Sequence, residues 1–503
     1  MPLWNLGMSL GQFVMAGGWL LAADLPGRVK RLIREPFFWW ISGLFFLHLI
    51  GLWNTEDMTY AMKDIRVKLP LLLMALMFAG APDLTSREYR SVFGALLTGI
   101  LVSTGYGFAM AAGLTPHPVN DYRDYSHFIS HIRLSLLIDV CIVWMVLLRG
   151  NGTGSIHRWL FLFLFVWLVS YLLLIQSVTG IAILAILGLL YIIQQAIEKR
   201  RPAYTRFAAA AVLLFLSTGA FTYYYIFVDS IHYVSFHPHP DTVKTARGGT
   251  YVCNLQRQDL EEGRLVWENF CEGEINQAWH LRTGKSIWDS DTLQQMYFVS
   301  VLRYLTALQL TKDYDGVMAL SDKDIRNILS GKATPFEDRQ RNNPLQRIHD
   351  LANEYRTWYY TGWANGQSMV QRFEYLKAAK WILSRHLLTG VGTGDLPSAY
   401  DEAYNAQHSS LQPGWRLRAH NQYMSFGVAF GVPGMIYLIF VLAWLLVYAI
   451  RHRLHLFFAF LVIAAISFLN EDTLETQAGV TFFAFLCGWL WRYEKQEIQQ
   501  DQY

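Results

Sequence analysis

The sequence predicts a mainly α-helical, polytopic membrane protein with one large domain outside the bilayer. Of the 503 residues, 53% are hydrophobic, and they are gathered into long blocks, as expected for membrane spans. The stretch 229–421 interrupts these blocks, and it is too long for a simple connection, so it must fold. The net charge of +3 gives no indication of nucleic-acid binding.

The apolar blocks predict about 11–12 spans of roughly bilayer length. Basic residues in the short loops assign the sides, because cytoplasmic loops carry more Lys and Arg. The basic loops after the first, seventh and ninth blocks fall on one side, which places 229–421 and the N-terminus outside. An odd number of spans with this orientation leaves open whether an initial helix is missing. The predicted spans are 3–22, 37–53, 69–82, 91–112, 134–148, 159–175, 178–197, 207–228, 422–449, 455–469 and 477–491.

This pattern divides the chain into three parts. An N-terminal bundle of about eight spans covers 1–228, a mostly helical outside domain covers 229–421, and about three C-terminal spans with a short tail cover 422–503. Cys253 and Cys271 lie in a strand-like part of the outside domain. They could pair in an oxidising compartment, but a pairing cannot be read from sequence.

The stretch with the clearest chemistry joins the outside domain to the span 422–449. It reads Arg-Leu-Arg-Ala-His-Asn over 416–421 and continues into an apolar run with Gly427, Gly431 and Gly434. If the run is helical from His420 onward, this histidine and the glycines lie near one face, where another helix or a lipid chain can approach closely. The alternative is an interfacial histidine with two snorkelling arginines.

Polar residues also stand at the start of the span 134–148. His127 and His131 have the i, i+4 spacing of two metal ligands on a helix, but no third ligand or glutamate base accompanies them, so no metal site is predicted. Arg133 can clamp a phosphate at the membrane boundary. Asp139 lies within the span, where a carboxyl group is costly unless paired, so it marks a polar interior or the partner of a cation.

Three further segments carry charge outside the spans. Arg372 lies on the flank of the apolar stripe of a predicted helix, and a charge there needs an anionic partner. The acidic loop 470–479, which contains Glu471, could position arginines or an acceptor hydroxyl, or could simply be the solvated ends of two spans. The basic stretch 61–70 is predicted to be a solvated outside loop, with contact to lipid headgroups as the alternative.

His420-Asn421-x-x-Met424, followed by glycines after a long outside loop, resembles the signature of the O-antigen ligase and O-antigen polymerase superfamily. Members are GT-C-like membrane glycosyltransferases that use polyprenyl-diphosphate-linked glycans. The stretches 131–135 and 471–479 are similar to those of Bacteroidetes-type ligase-like members. At 176–180 the chain departs from the better-studied ligases, because Val and Thr stand where those ligases carry an arginine. Either Arg133 supplies this charge or the donor lies differently.

The resemblance implies transfer of a glycan from undecaprenyl diphosphate to a lipid A–core or other saccharide acceptor. The reaction would occur at the periplasmic face of the bacterial inner membrane, without a metal or other cofactor. His420 is the expected general base, kept neutral by Arg416 and Arg418. Arg372 and Arg133 are expected to stabilise the diphosphate, with Arg416 and Arg418 next. Possible supporting residues are Asn421, His131, Asp139 and Glu471.

Two other functions stay open at this stage. A polymerase of the same superfamily would extend lipid-linked repeats instead of ligating them. A polysaccharide transporter or flippase would require charged residues deep in several spans, and only Asp139 is evident. The donor glycan, the acceptor sugar, the anomeric outcome and the oligomeric state cannot be read from the sequence.

Overall fold

The computed structural model describes residues 3–500 except 4, 22–23, 82–84, 118, 120–121, 149–154, 234–242, 255–258, 291–295, 333 and 336–345. The chain forms two compact units, one made of 1–211 with 372–503 and the other of 212–371. Residues 372–421 thus pack within the first unit.

All the regular secondary structure in the described part of the first unit is helical. Helices α9 and α15 contain residues of both units. The helices are α1 Asn5–Leu21, α2 Leu25–Arg34, α3 Pro36–Ile50, α4 Met58–Gly80, α5 Ser86–Ala111, α6 His131–Leu148, α7 Ser155–Leu174, α8 Val178–Lys199, α9 Pro202–Phe227, α15 Ser368–Arg385, α16 Leu396–Ala406, α17 Gln422–Arg451, α18 His455–Asn470 and α19 Gln477–Gln500.

Each predicted span overlaps one of these helices, and the span 69–82 overlaps only the second part of α4. Among the described residues, five helical segments are both long and apolar enough to cross a bilayer: Pro36–Asn54, Arg87–Ala111, Val178–Lys199, Pro202–Ile231 and Gln422–Arg451. With almost no sheet in the described part, the mainly α-helical membrane fold is confirmed.

The prediction of a solvated loop at 61–70 is wrong. This stretch lies within α4, which continues past Pro70. The side chain of Lys68 is fully buried, and it donates to the carboxylate of Glu475 at 2.7 Å and to the carbonyl of Leu474 at 2.6 Å. A buried ammonium is stable only with such partners, and these lie far away in the sequence.

The prediction of one helical face that runs from His420 through the glycines of α17 is also wrong. The helix begins at Gln422, so His420 precedes it, and it breaks at Gly431, where φ is 70°. The segment beginning at Leu387 lies against this break, because the amide of Val432 donates to the Leu387 carbonyl at 2.7 Å. A Cβ at Gly431 would lie 2.6 Å from that carbonyl oxygen. The glycine therefore admits a loop of the same chain, where a second helix or a lipid had been expected.

The second unit has its own core, in which Trp279, Val301 and Tyr304 are fully buried. Cys253 and Cys271 are both free thiols; the Cys253 thiol donates to the Asn269 side chain at 3.2 Å. A short hairpin precedes the helices. The elements are β1 Leu260–Glu261, β2 Arg264–Leu265, α10 Glu272–Thr283, α11 Tyr297–Ala307, α12 Tyr314–Ala319, α13 Asp322–Leu329 and α14 Gln346–Thr361.

Candidate active site

The acidic loop 471–476 joins α18 to α19 and brings together residues from six helices or their ends. Gln422, at the start of α17, holds it by two hydrogen bonds: its amide nitrogen donates to Glu475 at 2.9 Å, and its amide oxygen accepts from the Leu474 backbone at 2.6 Å. Asn470 donates to the hydroxyl of Thr179 at the start of α8, at 2.6 Å. The loop is therefore a fixed structural element and not a pair of solvated helix ends.

One end of this loop is a buried charge cluster. Glu475 accepts hydrogen bonds from Lys68 and Arg418, and Arg418 also bonds the Tyr60 hydroxyl. Asp64 lies 3.6 Å from the Lys68 ammonium. Burial would raise the pKa of Glu475, but the two cations outweigh burial and hold this pKa well below its usual range. Glu475 is thus a carboxylate neutralised within the protein.

His420 lies at the other end of the loop in an unusual backbone conformation. Its φ is 45°, in the left-handed region, which is uncommon for a non-glycine residue and is often found at functional sites. Asn421 follows as the N-cap of α17: its side chain accepts from the Met424 amide at 2.9 Å and donates to the Leu469 carbonyl at 2.8 Å. The cap fixes the backbone directly after the imidazole.

Two carboxylates face the same nitrogen of this imidazole. The Nδ1 atom of His420 lies 3.6 Å from Glu471 and 3.5 Å from Asp472, just beyond ordinary hydrogen-bond length. Burial would lower the pKa of His420, but Glu471 and then Asp472 outweigh it, so the pKa lies above its ordinary value. With Nδ1 facing the carboxylates, the proton of neutral His420 is favoured on Nδ1, which leaves the Nε2 lone pair to accept a proton.

This environment overturns the expectation that Arg416 and Arg418 lower the pKa of His420. Arg418 is engaged with Glu475 and Tyr60. Arg416 donates to Asn405 at 2.7 Å and to the Leu411 carbonyl at 3.1 Å. The carboxylates of the loop, and not the neighbouring arginines, set the protonation of His420.

Arg372 and Arg133 reach the loop from different helices. Arg372 of α15 donates to Glu471 at 3.0 Å, so it shares this carboxylate with His420 and has the anionic partner that the sequence required. Arg133 of α6 donates to the hydroxyl of Thr476 at 2.5 Å. The salt bridges among the described residues do not include Arg133, although Glu471 and Asp472 lie within its electrostatic reach.

Of the remaining predicted site residues, some lie beside His420 and others lie elsewhere. Asn421 and Glu471 belong to the group around His420, whereas Arg416 lies apart in its contacts with Asn405 and Leu411. His131 packs near the ring of Tyr122, with centroids 6.3 Å apart. Asp139 is fully buried, and neither of its carboxylate oxygens has a hydrogen-bond partner within the described part of the chain. The expected cation partner of Asp139 is therefore not found there.

Sequence reasoning missed three contributors: Lys68, Asp472 and Glu475. Lys68 and Glu475 are 407 residues apart in the chain, so no local pattern reveals their pairing. One signal was present for Lys68, since Asp64 precedes it by the i, i+4 spacing of a helical ion pair. Asp472 and Glu475 were visible as loop acids, but sequence alone gave them no partners.

The group could also coordinate a cation by geometry. One ligand atom each from His420, Glu471 and Asp472 lie within 4.8 Å of one another. Arg372 already neutralises Glu471, and a guanidinium at this distance repels a second cation. The contacts thus favour proton transfer at His420 over metal binding, and the choice can be tested with a chelator.

Residues 337–439 match the family model described as O-Antigen ligase. Over this segment the chain is similar to the O-antigen ligase superfamily. The matched segment runs from the end of unit two into α17 and contains Arg372, Arg416, Arg418 and His420. A search of curated proteins found no match. Together with the apolar helices, this similarity supports a multi-pass membrane protein related to glycosyl-transfer enzymes.

Proposed function

We propose that this protein transfers a glycan from undecaprenyl diphosphate to a lipid A–core or other saccharide acceptor. The reaction would take place at the periplasmic face of the bacterial inner membrane and would need no metal. The observation that carries the proposal is the convergence of His420, Arg372 and Arg133 on the single loop 471–476. The family match supports the reaction class.

His420 is proposed as the general base. Its Nε2 atom removes the proton of an acceptor hydroxyl as the hydroxyl oxygen bonds the anomeric carbon of the donor. The bond between that carbon and the diphosphate oxygen breaks, and undecaprenyl diphosphate leaves as an anion. Glu471 and Asp472 then stabilise the imidazolium that has formed, as a carboxylate does behind a catalytic histidine.

The arginines are proposed to stabilise the leaving diphosphate. Guanidinium groups bind phosphate through a planar fork of donors, and they require no reorganisation when they are already held in place. Arg133 is the first candidate, because its observed hydrogen bond is to a neutral hydroxyl. Arg372 would contact the diphosphate while keeping Glu471, and Arg418 would act from within its buried cluster by charge alone.

The decisive experiment is transfer from a purified lipid-linked glycan to lipid A–core by wild type and His420→Asn. Asparagine adopts the left-handed backbone region readily, so this variant removes the base without introducing strain. Loss of a general base lowers the rate by about 10²- to 10⁴-fold. The matched control is His408→Asn, since His408 also has a positive φ of 48° but lies outside the group.

Two results would reject parts of this proposal. A His420→Asn variant with wild-type rates would exclude the general base, and loss of transfer on chelation with recovery on adding Mg²⁺ would exclude the metal-free mechanism. The same assay separates the polymerase alternative: a polymerase would lengthen the lipid-linked glycan and leave lipid A–core unmodified.

A further inference from the structure

A polar cavity of about 270 Å³ lies in the second compact unit, remote in sequence from the catalytic loop. Two chain segments line most of it: 264–269, which begins with strand β2 of the hairpin, and 306–312, which begins at the end of α11. Its volume lies just below the usual range of small-molecule sites, which suits one sugar ring better than an extended chain.

A buried lysine among the lining residues links the two segments that form this cavity. Lys312 is buried, and its ammonium donates to three backbone carbonyls, those of Leu265 at 2.6 Å and of Val266 and Glu268 at 2.9 Å. Burial lowers the pKa of Lys312 to about 8. One ammonium group thus joins the two lining segments, and a site with segments already joined needs less ordering when a ligand binds.

Two lining residues have an unusual backbone. Asn269 and Gln309 have positive φ values of 50° and 57°. Gln309 follows the end of α11, where the Leu310 amide donates back to the Leu305 carbonyl at 2.8 Å, a turn at which glycine is the usual residue. A glutamine there costs stability relative to glycine, and it presents an exposed amide at the cavity.

The side chains around the cavity combine donors with acceptors. Arg264 can only donate and the ionised Glu268 can only accept, whereas Asn269, Gln309 and Thr311 can do both. Glu268 and Asn269 are already joined at 3.2 Å. Such planar polar groups are suited to pairs of neighbouring hydroxyls, and Tyr251 adds an aromatic ring at the same cavity, a surface on which the apolar face of a sugar can pack.

We infer that this cavity is a saccharide-binding subsite that holds one sugar residue of the acceptor glycan. The choice of a saccharide as ligand rests on the proposed function, whereas the existence of a built polar site does not. The subsite would act in recognition and would take no part in the chemical step.

The test uses Gln309→Gly in the full-length protein, reconstituted in nanodiscs because maltoside detergents carry a sugar headgroup. Glycine suits the left-handed turn, so the variant should be at least as thermally stable as wild type while lacking the amide. The probe is core oligosaccharide released from lipopolysaccharide by mild acid, measured by isothermal titration. Loss of one neutral hydrogen bond should weaken binding about fivefold.

The matched control is Glu262→Gly, which replaces another residue of the same unit with positive φ, 48°, that does not line the cavity. Its affinity for the probe should equal that of wild type. Absence of binding by wild type, or equal binding by Gln309→Gly, would overturn the subsite. The proposed function fails separately, through a wild-type protein that transfers no glycan, so the two results are distinguishable.

Discussion

Glu471 and Glu475 lie four positions apart on one loop, yet their surroundings are opposite. Glu475 is 8% exposed and bonded to a lysine and an arginine from other parts of the chain. Glu471 is 18% exposed and shares its charge between Arg372 and His420. The carboxylate of Glu475 is thus paired within the protein. At the Glu471 end of the loop, the imidazole of His420 is 26% exposed, and its Nδ1 atom lies beyond hydrogen-bond length from the two carboxylates.

The difference separates two requirements of an active site. A loop that must hold a base in place needs an anchor that does not exchange with water, and buried ion pairs with additional hydrogen bonds provide it. The base itself needs access to the substrate and incomplete pairing. Substitutions at the two ends should therefore affect different quantities, stability at Glu475 and rate at His420.

The largest effect on stability is expected from Glu475→Ala. It leaves Lys68 and Arg418 buried without their carboxylate, and breaking a buried pair in this way costs about 3–5 kcal/mol of unfolding free energy. The measurement is the thermal unfolding midpoint in detergent. The double variant Lys68→Met with Glu475→Leu should recover only part of the loss, because the Lys68 ammonium is removed together with its carboxylate whereas Arg418 still lacks its partner. A stable Glu475→Ala protein would show that the cluster is not an anchor.

Arg133→Ala should reduce kcat/KM for the lipid-linked donor by roughly 10- to 100-fold, the range for a lost hydrogen bond to a charged group. Arg133→Lys should restore little, because a lysine lacks the planar fork. Thr476→Val is the matched control, since it removes the observed partner of Arg133 but keeps the guanidinium. If Thr476→Val is as defective as Arg133→Ala, the arginine acts by holding the loop and not by binding diphosphate.

The sequence predicted the fold more completely than the site, because the spans depend on patterns within short stretches whereas the site depends on contacts between residues far apart in the sequence. Each predicted span is an apolar block, so hydropathy within one window was enough to place a helix at each of them, at α4 only in part. His420, Arg372 and Arg133 were predicted from local patterns and from family resemblance. Lys68 could not be, because its carboxylate partner lies at the other end of the chain and only the folded structure brings them together.

The same limit explains the error about the protonation of His420. Arg416 and Arg418 are its nearest charges in sequence, and proximity in sequence suggested a lowered pKa. In the structure the side chains of both arginines are held by Asn405, Tyr60 and Glu475. The charges that face the imidazole come from a loop more than fifty positions away.

The pH dependence of transfer tests this assignment. His420 acts as a base only when neutral, and its pKa lies above the ordinary value because of Glu471 and Asp472, so activity should fall as the pH drops below a point on the alkaline side of pH 6.5. Asp472→Asn removes one stabilising charge and lowers the pKa of His420. The acidic limb of the kcat/KM profile should therefore move to lower pH.

Asn421→Asp provides the matched control for this shift. It adds a negative charge next to His420 and keeps a good N-cap residue, so it should move the acidic limb in the opposite direction, to higher pH. A profile that is unchanged in both variants would mean that His420 does not limit the rate in this pH range.

The smallest effect is expected at Arg416, although sequence placed it beside Arg418 as a diphosphate ligand. Its guanidinium donates to Asn405 and the Leu411 carbonyl and lies over the ring of Tyr404, 5.8 Å from its centroid. Arg416→Gln should lower the unfolding free energy by about 1 kcal/mol, the value of an ordinary hydrogen bond, and should leave the KM for the donor near that of wild type. Arg416→Lys, which keeps the charge, should behave in the same way. A rise in donor KM with Arg416→Gln that Arg416→Lys reverses would instead place this cation at the diphosphate.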